Sequence, residues 1–182
     1  MPGHYTITLS VGGKSYSQPL ILQMDPRVKT STNDLAEQFR VSKLIYDQWL
    51  ALAAIAESAR PVRGQIVELR SRIPEDLKPR FDEFSEKLQV FGGGGGGFGA
   101  GGPGAAGARL TVAGVTGRLR TLFNEAEGVD LAPTAHVKAA ADDVIKDARS
   151  LQENWQAIRL QALPALNQEL QGKGLPLIAV PK

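Results

Sequence analysis

Cysteine is absent from the 182 residues, which excludes disulfides, thiolate zinc sites and cysteine nucleophiles. Histidine occurs twice, as His4 and His136, in different parts of the chain and without a second imidazole at helical spacing. A metal site would therefore have to rest on carboxylates, and a Ser-His-Asp triad on one of these two rings. No apolar stretch approaches the ~18 residues of a membrane-spanning helix. The opening Met1-Pro2-Gly3-His4 has neither a charged n-region nor an unbroken apolar core, so no signal peptide is read there. Charge of one sign is also lacking: 21 Lys+Arg against 19 Asp+Glu leave a net charge of +2, too little to argue for nucleic acid. What is present is 42% hydrophobic residues with 22% charged, enough to bury a core.

Residues 1–27 read as a β-hairpin. Tyr5, Ile7, Leu9 and Val11 alternate with His4, Thr6, Thr8 and Ser10, the period of a half-buried strand. Gly12-Gly13 supplies the turn, and Tyr16, Leu20, Leu22 and Met24 continue at even spacing. Pro19 marks an edge or a bulge, and Asp25-Pro26 stops the strand. Two strands alone are marginal in water. The hairpin is therefore expected to dock on the helices, on a second copy, or on a sheet outside this chain.

Residues 28–182 read as a helical bundle interrupted by a glycine-rich loop over 91–108. Ser31 and Asp34 have capping-box spacing. Leu35, Phe39, Ser42, Tyr46, Trp49, Ala53 and Ala56 then repeat as a heptad-like seam, and Val41, Leu44, Ile45, Leu52 and Ile55 add a second apolar face. Such a helix is expected to sit centrally, with a kink or break at Pro61 and an end at Pro74. Pro74-Glu75-Asp76 opens the next helix, with Leu77, Phe81, Phe84, Leu88 and Phe91 facing inward. More than half of the chain's 20 glycines fall in the loop, which is expected to be flexible with an r.m.s. reach of ~24 Å. Leu110, Val115, Leu119, Leu122 and Phe123 line a third helix that Gly128 ends. Thr134 caps a fourth, long one through Val137, Val144, Ile145, Leu151, Trp155, Ile158 and Leu163, where a kink is expected at Pro164 before Leu166 and Leu170. The expected fold is mainly α: a four-helix bundle-like body with an N-terminal β-hairpin.

Motifs that carry chemistry are few. Gly13-Lys14-Ser15 resembles the end of a phosphate-binding loop, but Thr8 stands where that motif needs its first Gly and a strand follows, so a hairpin turn explains it. Gly97-Phe98-Gly99-Ala100-Gly101-Gly102 satisfies a dinucleotide pattern as any polyglycine does, and it follows a helix rather than a strand. Asp142, Asp143 and Asp147, interleaved with Lys138 and Lys146, read as a solvated helical face with local ion pairs. Arg60, Arg63, Arg70 and Arg72 make a basic stretch, partly balanced by Glu57 and Glu68. No aromatics interleave to stack bases, so no nucleic-acid partner is expected. Trp49 and Trp155 read as core anchors. No catalytic, cofactor-binding or metal-ligating residue is nominated, and no cofactor is expected.

The order of short motifs carries a resemblance. Pro2-Gly3-His4-Tyr5-Thr6-Ile7-Thr8-Leu9-Ser10-Val11-Gly12-Gly13-Lys14-Ser15-Tyr16-Ser17-Gln18-Pro19-Leu20 leads into Met24-Asp25-Pro26-Arg27 and Asp34-Leu35-Ala36-Glu37-Gln38-Phe39. Ala132-Pro133-Thr134, Trp155, Leu163-Pro164-Ala165-Leu166-Asn167 and Gly174-Leu175-Pro176 follow. This resembles the C-terminal region of bacterial sortilin-like BNR-repeat β-propeller proteins, often labelled glycosyl hydrolase. The resemblance implies that the hairpin ends an immunoglobulin- or fibronectin-like β-domain and that the rest is a helical tail. It implies a periplasmic or extracellular location, and a non-catalytic interaction or assembly module whose partner is a protein or its own parent propeller. A homodimer through the hairpin is another way to cover it. The alternative is a fragment of a sialidase-like hydrolase whose catalytic propeller lies elsewhere. No Asp-box pattern (Ser-x-Asp-x-Gly-x-x-Trp) occurs here, so no catalytic residue carries over.

Overall fold

The structure is a computed structural model that describes residues 1–92 and 110–180. It is mainly helical with an N-terminal hairpin, as expected. The strands are β1 (Gly3–Val11) and β2 (Lys14–Leu22), and the helices are α1 (Thr32–Leu69), α2 (Lys78–Gln89), α3 (Val112–Glu127), α4 (Ala135–Ala157) and α5 (Leu163–Gly172). Most of the glycine-rich loop, with its dinucleotide-like pattern, lies outside the described residues.

Local chemistry accounts for most of the boundaries. Gly12 and Gly13 adopt φ of 56° and 76°, the left-handed pair that a two-residue hairpin turn requires. The register then pairs Tyr5 with Leu20, Leu9 with Tyr16 and Val11 with Lys14. Ser31 caps α1 by accepting from the Asp34 N–H at 3.1 Å, while its hydroxyl donates to the Asp34 carboxylate at 2.7 Å. Thr134 caps α4 in the same manner through the Val137 N–H. Thr111, which the sequence reading passed over, caps α3 through the Gly114 N–H. Gly174 (φ 65°) closes α5, with its own N–H on the Gln171 carbonyl and the Leu175 N–H on Leu170.

Two prolines do not interrupt or open helices where the sequence suggested. α1 does not break at Pro61 and runs on as one helix of 38 residues, about 57 Å along its axis. Ala59 and Val62 on either side of it are fully buried, a gain that outweighs the one lost backbone bond. α2 begins at Lys78 rather than at Pro74, whose carbonyl instead closes a turn by accepting from the Leu77 and Lys78 N–H groups. Pro164 leaves its mark one turn upstream. Ile158–Ala162 form a π turn, with the Leu163 N–H reaching the Ile158 carbonyl five residues back. That widened turn makes room for the proline ring, and α4 continues into α5.

The five helices make three rods: α1, α2 followed by α3, and α4 continued by α5. Gln38 near the start of α1 meets Ala126 and Val129 at the end of α3, so α3 is antiparallel to α1. Glu37–Lys138 (3.7 Å) and Gln48–Gln152 (2.7 Å) set α4 parallel to α1. Arg70–Asp82 and Arg80–Glu169 place α2 beside the far end of α1 and against α5. The Val112 N–H bonds the Val90 carbonyl at 2.8 Å, which sets α3 to follow α2 down the same side. The core lies along the shared axis: Ile45, Leu52, Val62, Phe81, Leu88, Val115, Leu119, Leu151 and Leu170 are among its most buried members. Trp155 is buried beside Phe91, with ring centroids 5.3 Å apart, as the anchor reading of Trp155 required.

The apolar tail after Gly174 returns to the bundle. Ile178 is buried, and the Asn167 side chain donates to its carbonyl (2.8 Å) and accepts from its N–H (2.9 Å). Gln65 of α1 makes the same reciprocal pair with Ala179. Lys173 beside Asp76 holds that carboxyl below its ordinary range and ties the end of α5 to the turn before α2. Replacing Asn167 by Ala strands both backbone groups of Ile178. Asn167→Ala should cost about 1–3 kcal/mol in urea unfolding, and an unchanged midpoint would show that the tail is not held there.

Candidate functional site

Two apolar surfaces stay open to water. The first is the hairpin. Alternation places Tyr5, Ile7, Leu9, Val11, Tyr16, Leu20 and Leu22 on one face, opposite a polar face where the Thr8 and Ser17 hydroxyls meet at 3.0 Å and those of Ser10 and Ser15 at 2.8 Å. Ile7, Leu9 and Val11 are 56%, 61% and 60% exposed. Of the alternatives left open for covering this face, docking on the helices is not the one seen: both strands stand clear, and only the hairpin's base touches the bundle. A hollow of about 270 Å³ lies there, lined by Met1, Leu22 and Met24 from the hairpin side and by Leu35, Gln38 and Phe39 from α1. The connecting segment is ordered by its own chemistry. Arg27 donates to the Asp25 carboxylate and lowers its pKa, and the Thr30 hydroxyl donates to the Asp130 carbonyl.

The second surface is on α1. The heptad-like seam is not the core stripe, which is a correction to the sequence reading. Leu35 and Ser42 are buried, but Phe39 and Tyr46 are 52% and 44% exposed and Ala53 faces solvent. Burial falls instead on Val41, Ile45, Leu52 and Ile55 and continues through Ala59, Val62, Ile66 and Leu69. Over residues 35–56 both faces are apolar; beyond them the buried stripe stays apolar at Ala59, Val62, Ile66 and Leu69, whereas the seam continued at the same spacing meets Arg60, Arg63 and Arg70. Three rods can cover only one, and the other is left with Phe39, Tyr46 and a half-buried Trp49.

These rings meet α3 and form a groove of about 420 Å³, lined by Phe39, Ser42, Lys43, Tyr46, Asp47, Phe123 and Glu127. Tyr46 lies 6.1 Å from Phe123, and Trp49 packs edge-on against both at 6.4 Å. Lys43 is neutralised by Asp47 at 2.7 Å. Glu127 has no ion pair among the described residues. The Ser42 hydroxyl, in a residue only 4% exposed, is the one buried side-chain polar atom without a hydrogen-bond partner there. Phe39 and Glu127 line both this groove and, with Phe39, the hollow under the hairpin, so the two openings adjoin.

The residues weighed for chemistry in the sequence do not converge. His4 and His136 are exposed, on β1 and at the start of α4. Among the described residues no group of three or more His, Asp or Glu is placed to hold a metal. Asp147 is ion-paired with Arg118 of α3 at 2.6 Å, and Asp142 and Asp143 are exposed. Arg60 and Arg70 are paired with Glu57 and Asp82. Lys14 and Ser15 open β2, exposed, where a phosphate loop would need a helix. No helix among the described residues is long and apolar enough to cross a membrane. The groove residues carried a signal in the sequence, the doubled apolar surface of α1, which reads equally well as extra core. Compared with protein-family profiles, curated proteins and solved structures, the chain matches none.

The groove rings and the core stripe separate energetically. Phe39→Ala should change stability by less than about 1 kcal/mol, whereas Ile45→Ala should cost about 2–5 kcal/mol. Equal losses in urea unfolding would make Phe39 a core residue and remove the groove as a site.

Proposed function

We propose that this chain is a non-catalytic interaction and assembly module: a rigid helical body that presents a β-hairpin to a β-sheet partner. The observation that carries the reading is the hairpin's uncovered apolar face. Seven large side chains lie on it, and fully burying one such side chain is worth about 1.5–3 kcal/mol. Both long edges also offer unpaired backbone groups to an added strand. The opposite Ser/Thr face suits the solvated side of a sheet.

The partner that fits this chemistry is the remainder of an immunoglobulin- or fibronectin-like β-domain. The hairpin would supply its last two strands, and the bundle would be the helical tail of a sortilin-like BNR-repeat propeller protein in the periplasm or outside the cell. The resemblance of residues 2–20 and of the proline-marked motifs downstream supports this. A second reading, a detached piece of a sialidase-like hydrolase, differs only in placing chemistry on a propeller elsewhere. An upstream reading frame with propeller repeats that carry catalytic carboxylates would favour it.

Without those strands, the nearest surface of the same chemistry is a second copy of the hairpin. The chain should therefore self-associate at tens of micromolar, and Ile7→Lys with Leu9→Lys should return it to a monomer with the bundle's helical circular dichroism and melting temperature unchanged. Sedimentation over a concentration series checks this. A wild-type chain that stays monomeric at hundreds of micromolar, and sediments like the double variant, would overturn the hairpin as an interaction surface.

A further inference from the structure

We propose that the groove between α1 and α3 is a binding site for a small organic cation, an alkylated ammonium group, independent of the hairpin. Three aromatic rings, Phe39, Tyr46 and Phe123, line one opening of about 420 Å³. Ring faces carry the negative lobe of the aromatic quadrupole, so an opening walled by several of them attracts positive charge. Tyr46 and Phe123 are tilted by 41° at 6.1 Å and so are not stacked face to face. Trp49 packs edge-on against both.

The charge on the rim has the same sign preference. Glu127 is in the last turn of α3, where the helix dipole is already negative and where no basic residue lies. Its carboxylate is exposed and has no ion pair among the described residues. The only cation on the rim, Lys43, is held by Asp47 at 2.7 Å, so it does not neutralise Glu127. The Ser42 hydroxyl behind the groove wall is buried and unpartnered, out of a ligand's reach, so it does not select among ligands.

Other ligand classes fit less well. An anion meets Glu127, the α3 dipole and three ring faces, all repulsive. A metal ion needs several oxygen ligands, and no such group exists among the described residues. A neutral apolar ligand fills the walls but gains nothing from Glu127. An alkylammonium has an apolar skin for the rings and a charge for the rim, and it sheds hydration more readily than a bare ion of its charge.

The test is a titration of the full chain with choline and with 3,3-dimethylbutan-1-ol, its uncharged isostere, read by calorimetry and by the emission of Trp49. Choline should bind roughly tenfold tighter than the alcohol, because only the cation gains from the rings and from Glu127. Tyr46→Ala should abolish the difference, and Glu127→Gln should weaken choline several-fold and flatten its salt dependence, both with wild-type helical circular dichroism. Phosphatidylcholine vesicles in a flotation assay separate the sources. Binding of free choline assigns a soluble cation, and binding to vesicles alone assigns the lipid headgroup. Equal affinity for choline and the alcohol, or no binding to choline at 50 mM together with no vesicle flotation, overturns the proposal.

Discussion

The buried stripe of α1, from Val41 through Ile45, Leu52, Ile55, Ala59, Val62 and Ile66 to Leu69, is the surface that α2, α3 and α4 share. α2 and α3, of 12 and 16 residues, are near the length at which an isolated helix is marginal in water. They persist because Phe81, Phe84 and Leu88 of the one, and Val115, Leu119 and Leu122 of the other, are covered by α1 and the α4–α5 rod. The same stripe explains why Pro61 is tolerated. A single missing backbone bond in α1 weighs less than the burial on both sides of it, and the helix has no cheaper way to keep both halves on the core.

How much of this is legible in the sequence depends on whether a residue's role is set locally. The caps at Ser31 and Thr134, the Gly12-Gly13 turn and the inward face of α2 follow from side chains within four residues of one another, and all stand where the spacing puts them. The choice of core face on α1 does not. Phe39, Tyr46 and Trp49 have the same seven-then-three spacing as Ile45, Leu52 and Ile55, so within that stretch spacing does not separate them; the latter are buried because α3 and α4 approach from that side, set by contacts such as Gln38 with Ala126 and Val129. Gln38 itself is a buried amide serving the open carbonyls at the end of α3, and nothing in its neighbours announces that. The π turn before Pro164 is intermediate: the proline foretells a disturbance, but only the continuous burial of Ile158, Leu163 and Leu166 decides that the helix widens rather than stops.

The hairpin shows the converse. Its strands, turn and register were all readable, and its environment was not, because alternation specifies which face seeks cover without saying what provides it. Two strands with one apolar and one hydroxyl-bearing face have the pattern of a sheet fragment whose second layer is missing. Nothing in the bundle was shaped to be that layer. The helices have closed their own core around one another, and the segment between hairpin and α1 is fixed by Arg27 on Asp25 and by the Thr30 hydroxyl on the Asp130 carbonyl.

The two open surfaces therefore differ in kind. The hairpin face is mostly apolar, with Lys14 and Gln18 the polar residues on it, and is edged by unpaired backbone, which are properties satisfied by more sheet. The groove on α1 and α3 is lined by three rings with an exposed carboxylate at its rim, which are properties satisfied by a compact ligand bearing both an apolar skin and a positive charge. A residue left over from imperfect packing would be free to become polar at little cost, since Phe39 and Tyr46 already stand half in water. Holding aromatic side chains there exposes apolar surface that folding does not require, and placing Glu127 at the negative end of α3 adds an unfavourable charge beside it. Two costs of unrelated origin at one place, each removed by the same class of ligand, are a stronger argument for a site than either alone.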